Sequence, residues 1–234
     1  MANTFMPSFK DSAALKTHQL DGLQWTVAHA YQGSEFYRQR IADVGIQPKD
    51  IQSLDDIQKL PFTTADDLRQ GYPFPLLSVP TSQVVRIHAS SGTTGKRKIL
   101  CYSQTDINDW THFFARCYEM AGLTTEDRVQ IAVGYGVWTA GASFQLGCER
   151  FGAMALPVGP GNVDMQCQFL VDLQSTVMCC TASMGLLMAE EVNRRGLKDK
   201  IALNKMIFGS ERSSDAMRAR IKDLLGLTDM FDIT

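Results

Sequence analysis

Beyond residue 128 the hydrophobic and polar positions fall into a regular alternation. Short apolar runs occupy 129–133, 153–158, 176–181, 205–208 and 227–233, and each reads as a strand. Between them lie longer segments, 139–151, 163–173, 183–195 and 213–225, whose apolar positions recur at helical spacing. Buried strands alternating with helices predict right-handed βαβ crossovers and a parallel sheet covered on both faces. The expected class is therefore α/β, a parallel sheet flanked by helices.

The first third of the chain lacks that rhythm. Leu20, Leu23, Val27, Ala30 and Tyr31 predict an amphipathic helix over 17–44, divided at Gly33-Ser34 and ended by Gly45 and Pro48. Residues 46–80 are rich in Pro and Asp, with one capped helical turn expected at 64–68, and read as an arm wrapped on the domain. Two apolar runs, 84–89 and 99–102, follow. Ser103 and Asp106 then open a helix carrying Ile107, Trp110, Phe114, Cys117 and Ala121, closed by Gly122. The expected organisation is a helical and extended arm over 1–83 and a βα subdomain over 84–234.

Composition changes little. With 44% hydrophobic and 21% charged residues in 234, the chain is that of an ordinary globular protein. A net charge of -2 gives no reason to expect nucleic acid or a membrane surface as partner. The six cysteines show no metal-ligand spacing and no disulfide framework, so free thiols in a reducing cytoplasm are expected, and no metal site. The stretch 129–148 carries no formal charge and is long enough for a bilayer, but its glycines and glutamines read as strand, turn and buried helix.

The candidate chemistry lies between the two apolar runs, in Ser90-Ser91-Gly92-Thr93-Thr94-Gly95-Lys96-Arg97-Lys98. Glycines free the backbone to turn its N–H groups toward a ligand, and hydroxyls and cations complete a phosphate cradle. The same residues also build ordinary hairpin turns. The Walker pattern would need Gly at 90 and Ser or Thr at 97, where Ser90 and Arg97 stand. The loop joins two strands instead of opening a helix, so it would hold phosphate without a helix dipole. Three further Gly-containing loops, 134–138, 159–162 and 209–212, each follow a strand, where ligands bind in open parallel sheets. For 159–162 simple turn chemistry is the favoured reading.

Ser90 to Lys96 resembles the phosphate loop of the adenylate-forming enzymes: acyl-CoA synthetases, luciferases and adenylation domains. Arg86-Ile87-His88-Ala89, Tyr135-Gly136 with Trp138, Phe208-Gly209 with Glu211, and Pro61-Phe62-Thr63-Thr64 resemble the phenylacetate-CoA ligase family in particular. The likeness runs from about residue 20 to the end. It implies the N-terminal subdomain of an enzyme that joins a carboxylate to ATP as an acyl-adenylate, releasing pyrophosphate, and then exchanges AMP for coenzyme A. Carried over position by position, it makes Lys96 and Thr93 catalytic. It places Ser90, Ser91, Gly92, Thr93, Thr94, Gly95 and Lys96 on the phosphates. Gly209, Ser210, Glu211, Asp232 and Thr234 fall on the adenosine, and Tyr135, Gly136 and Trp138 on the acyl pocket.

The implied ligands are ATP, Mg²⁺, coenzyme A and a small, preferably aromatic carboxylic acid, in a cytoplasmic protein that could pair as a homodimer. The family's Pro after Gly-Lys is Arg97 here. Val133, Trp138, Ala182-Ser183-Met184 and Thr234 also depart from its pattern, which reshapes the pocket. The family's later motifs do not occur, so the chain is expected to be a piece of a longer protein, inactive alone. Two alternatives remain: a synthetase that adenylylates a deazaflavin coenzyme, and a truncated paralogue that binds nucleotide without turnover.

Overall fold

The computed structural model describes residues 4–70, 72–74, 76–90 and 96–233. Contacts divide the chain into two compact units, Pro7–Ile107 and the remainder.

In the first unit, helices α1 (Ser12–Gly33) and α2 (Glu35–Asp43) meet at the predicted break. Asp11 opens α1 by accepting from the Ala14 amide at 2.8 Å, so the helix begins several residues before the periodic stretch. The break falls at Ser34, whose backbone is extended. A Cβ at Gly33 would fall on the Ser78 carbonyl, while buried Ser34 caps α2. Val27, Ile41 and Ile51 form a small core, with Leu23, Tyr37 and Leu60 packed on it.

The expected turn at 64–68 is present, the Leu68 amide donating to the Thr64 carbonyl at 3.4 Å, and it does not extend into a helix. Thr64 donates its amide (2.7 Å) and hydroxyl (2.9 Å) to Asp67, and Arg40 pairs with the other carboxylate oxygen at 2.8 Å. The capping chemistry was legible: Asp67 accepts from Thr64 through one oxygen and pairs with Arg40 through the other. Strands β1 (Val84–Ala89) and β2 (Ile99–Ser103) complete the unit as an antiparallel pair, Ile87 opposite Cys101 and Ala89 opposite Ile99.

Helix α3 (Gln104–Met120) follows, and the division between units falls inside it. Next come β3 (Arg128–Ile131), α4 (Ala140–Phe151), β4 (Met154–Leu156), α5 (Val163–Asp172), β5 (Val177–Cys180), α6 (Ala182–Arg194), β6 (Lys205–Gly209), α7 (Asp215–Leu225) and β7 (Asp229–Ile233). The strands form one parallel sheet in the order β4-β3-β5-β6-β7. The alternation read from sequence is thus the observed architecture, with boundaries shifted by a residue or two.

Successive residues of a strand face opposite sides, and each side has its own core. Met178, Cys180, Met206 and Phe208 face Leu170, Met188, Val192 and Ile221 of α5, α6 and α7. Val129, Ile131, Cys179 and Ile207 face Tyr118, Phe144 and Cys148 of α3 and α4. The Tyr118 hydroxyl donates to the Phe144 carbonyl at 2.8 Å, tying α3 to α4 inside that core. All six cysteines are unpaired. The uncharged stretch 129–148 is β3, a turn and most of α4, and no helix among the described residues is long and apolar enough to cross a membrane.

Two glycines of α1 give opposite predictions. Gly33→Ala is expected to destabilise the protein by about 1–3 kcal/mol, since a backbone carbonyl stands in its way. Gly22→Ala, with nothing within 4 Å of the new Cβ, should stabilise it by about 0.5–1 kcal/mol. Urea unfolding of both variants checks the pair, and equal effects would refute the packing argument.

Asp67 supplies a pH prediction. The Thr64 amide and hydroxyl, then Arg40, hold its carboxyl below the ordinary range. A depressed folded-state pKa stabilises fully above the unfolded value of about 3.9 and loses that contribution as pH falls through the folded value. The difference in urea midpoint between wild type and Asp67→Asn should therefore shrink from about pH 7 to about pH 3. A constant difference would show that the carboxylate's charge contributes nothing.

Candidate functional site

The phosphate-loop candidate hangs on the β1–β2 pair, as its strand-to-strand setting required. Ser90 closes its base. The Ser90 amide donates to the Lys98 carbonyl, the Lys98 amide donates back to Ser90 Oγ, both at 3.0 Å, and the Arg97 guanidinium donates to the Ser90 carbonyl at 3.1 Å. Lys96 carries its ammonium 5.3 Å from the centroid of the Tyr72 ring. The remaining expected ligands there, Ser91, Gly92, Thr93, Thr94 and Gly95, lie outside the described residues. His88, read as a strand residue without a role, is buried in β1 with its ring edge-on to Tyr102 at 5.3 Å.

In the second unit, the loops at the carboxyl ends of the strands gather the other candidates. Gly209 ends β6, and Ser210 follows with a left-handed backbone, φ +68°. The Glu211 carboxylate reaches across to the first turn of α6, accepting from the Ser183 amide at 2.8 Å and its hydroxyl at 2.9 Å. A carboxylate at a helix N-terminus meets unsatisfied amides and a favourable dipole, so Glu211 locks the β5–α6 and β6–α7 connections together. Asp232 of β7 pairs with Arg218 of α7 at 2.9 Å. Phe208, Ser210, Glu211, Arg212 and Asp232 border a cavity of about 550 Å³. Thr234 lies outside the described residues.

The acyl-pocket candidates diverge. Tyr135 turns into the core that faces α3 and α4. A Cβ at Gly141 would meet its ring at 2.7 Å, so α4 can cross there only as glycine. The Tyr135 hydroxyl is buried without a partner, and burial pushes its pKa up to about 12, with Cys179 and Glu149 adding to the effect. Gly136, at φ +88°, reverses the chain. Trp138 then stands exposed and, with Ala132, Val133, Pro160, Met184 and Leu187, lines a groove of about 510 Å³. None of the residues lining this groove is charged.

Sequence reasoning missed two groups in this unit. It gave Ser183 no link to Glu211, and it passed over Gln130 and Gln166, which are fully buried beneath the 159–162 loop. A glutamine inside the apolar run 129–133 was the available signal for the second. Among the described residues no cluster of three or more His, Cys, Asp or Glu side chains could hold a metal ion.

No protein-family model matches the chain. Phenylacetate-coenzyme A ligase of Pseudomonas putida is 40% identical to it over 215 residues, covering 92% of the chain and 49% of that protein. The protein of the same name from Escherichia coli strain K12 is 40% identical over 216 residues, and that from Thermus thermophilus 34% over 214. The chain thus spans about half the length of the curated relatives it matches. Among solved structures, 2-hydroxyisobutyryl-CoA ligase in an open conformation, in complex with 2-HIB-AMP and CoA, superposes with a TM-score of 0.85 at 23% identity, over 97% of the chain and 53% of that protein. The same ligase in its postadenylation state gives 0.86 at 22% identity. At those identities the likeness is one of fold. By sequence the chain is similar to about half of the phenylacetate-coenzyme A ligases, and by fold to the 2-hydroxyisobutyryl-CoA ligase.

Proposed function

We propose that the protein carrying this chain is an ATP-dependent carboxylic acid–CoA ligase. The observation that carries the reading is the 40% identity, over nine-tenths of the chain, to phenylacetate-coenzyme A ligases. The neighbours solved with an acyl-AMP and CoA support the same two ligands here. The carboxylate oxygen would attack the α-phosphorus of ATP and expel pyrophosphate. The CoA sulfur would then attack the acyl carbon, expel AMP and give up its proton.

On this reading residues 90–96 take the polyphosphate. Lys96, Arg97 and Lys98, gathered where the loop re-enters β2, suit a polyanion, and Mg²⁺ would accompany the nucleotide. Gly209, Ser210, Glu211, Asp232 and Thr234 would flank the adenosine. Trp138 would wall the acyl pocket, presented by the turn at Tyr135 and Gly136. The uncharged lining of its groove suits an apolar, preferably aromatic, acyl group. The protein would work in the cytoplasm and could pair as a homodimer.

The test uses the full-length protein that contains these residues, offered ATP and CoA with a panel of aromatic and aliphatic acids. The expected outcome is an acyl-CoA and AMP. Lys96→Ala should slow adenylation by about 2–4 kcal/mol of transition-state stabilisation, the size expected for one preorganised charge, and leave the unfolding midpoint near that of wild type. Turnover of a deazaflavin with ATP and no ligation of any acid would overturn the reading. An unchanged rate in Lys96→Ala would return the loop to an ordinary turn.

A further inference from the structure

Inside the second unit a chain of three polar side chains, each fully buried, runs along the sheet: Ser175, Gln130 of β3 and Gln166 of α5. The Ser175 hydroxyl donates to Gln130 Oε1 at 2.8 Å. Gln130 Nε2 donates to Gln166 Oε1 at 2.5 Å and to the Gln166 carbonyl at 3.2 Å. Gln166 Nε2 in turn donates to the carbonyls of Gly159, at 2.8 Å, and Gly161, at 3.3 Å. Every donor points the same way. The chain starts just before β5, at the amino end of the strands, and ends on the loop that follows β4.

That loop needs holding. Three of its four residues have left-handed backbones, Gly159 at φ +82°, Gly161 at +72° and Asn162 at +42°, and only the glycines adopt that region freely. Its first amide is fixed by the Ile131 carbonyl at 2.9 Å, and Asn162 caps α5 through the Met165 amide at 3.3 Å. Between these anchors the Gln166 amide pins the carbonyls on either side of Pro160. Pro160 is the loop residue that lines the groove with Trp138 and Met184. A pair of leucines could fill the same core volume with no partners to satisfy, but could not reach those carbonyls.

We propose that Ser175, Gln130 and Gln166 are positioning residues: they hold Pro160 as a wall of the Trp138 groove, and so set the width of acyl group admitted. The inference rests on the reading of that groove as the acyl site. Its substance is that selectivity is set from inside the core by residues that never touch the substrate.

The test compares three variants of the full-length protein with wild type: Gln166→Leu, the triple Ser175→Ala, Gln130→Leu, Gln166→Leu, and Pro160→Ala, whose side chain is on the surface. In the first two, hydrogen exchange at the Gly159 amide should quicken. The KM for the preferred acid should rise about tenfold with the KM for ATP nearly unmoved, a shift of the size a small pocket misfit produces. The ranking of acids by width should broaden. The triple variant, with no orphaned side-chain amide, should regain part of the unfolding midpoint lost in Gln166→Leu and still keep the raised KM. Pro160→Ala should broaden the same ranking without touching the core. Wild-type acid KM and ranking in the triple variant, or an unmoved ranking in Pro160→Ala, would overturn the inference and leave the ligase reading standing. A wild-type protein that ligates no acid would overturn both.

Discussion

A parallel sheet with helices on both faces leaves its central strands no exposed side. Every side chain along β5 is buried, and so are Val129, Gln130 and Ile131 of β3. Polar chemistry is thereby driven off the strands and onto the loops at their carboxyl ends, where the chain leaves the sheet and backbone groups come free. Trp138, Pro160, Ser210 and Glu211 all sit on such loops. The site of this unit follows from how the sheet is covered.

The same constraint explains the few polar groups that do remain inside. A buried amide without partners costs about 1–3 kcal/mol, and a fully partnered one much less. Gln130 and Gln166 avoid the cost by bonding to each other, to Ser175 and to loop carbonyls. Tyr135 does not, its hydroxyl being buried and unpartnered between the sheet and α4. Moving that hydroxyl outward would also remove the ring from the core that Phe144 and Cys179 build, so the packing of the ring outweighs the loss at its tip.

How much of this could be read from the residues depends on the range of the interaction involved. The alternation of strands and helices was legible because the apolar period acts over a few neighbours; the caps at Asn162, Thr181 and Ser214, equally local, agree with it. The break at Gly33 was legible too, although the Ser78 backbone packed against that glycine was not. The early start of α1 went unread because the first turns of that helix are exposed and carry no apolar stripe. At 64–68 the cap was recognised, but its partner, Arg40, lies far back in the chain. Glu211 and Ser183, or Gln130 and Gln166, meet only after the crossovers have formed. Local pattern announces a loop; it does not say what holds it.

Backbone strain shows where the holding matters. Most left-handed glycines here do routine work: Gly152 and Gly226 end helices. Among the described residues three non-glycines are left-handed, Asn162, Gln174 and Ser210. Such residues each cost on the order of 1 kcal/mol and persist only where their surroundings fix them. Gln174 is fixed by its side-chain amide on the Val171 and Lys200 carbonyls. Asn162 closes the loop that Gln166 pins, and Ser210 precedes the Glu211 carboxylate anchored on α6. Two of the three thus lie on carboxyl-end loops, each beside a side chain that ties its loop to a different element. An ordinary turn would have been free to relax both. Their persistence marks the rim around the Trp138 groove and the Ser210 cavity as a surface whose shape is specified, which is the property a binding site needs and a surface loop does not.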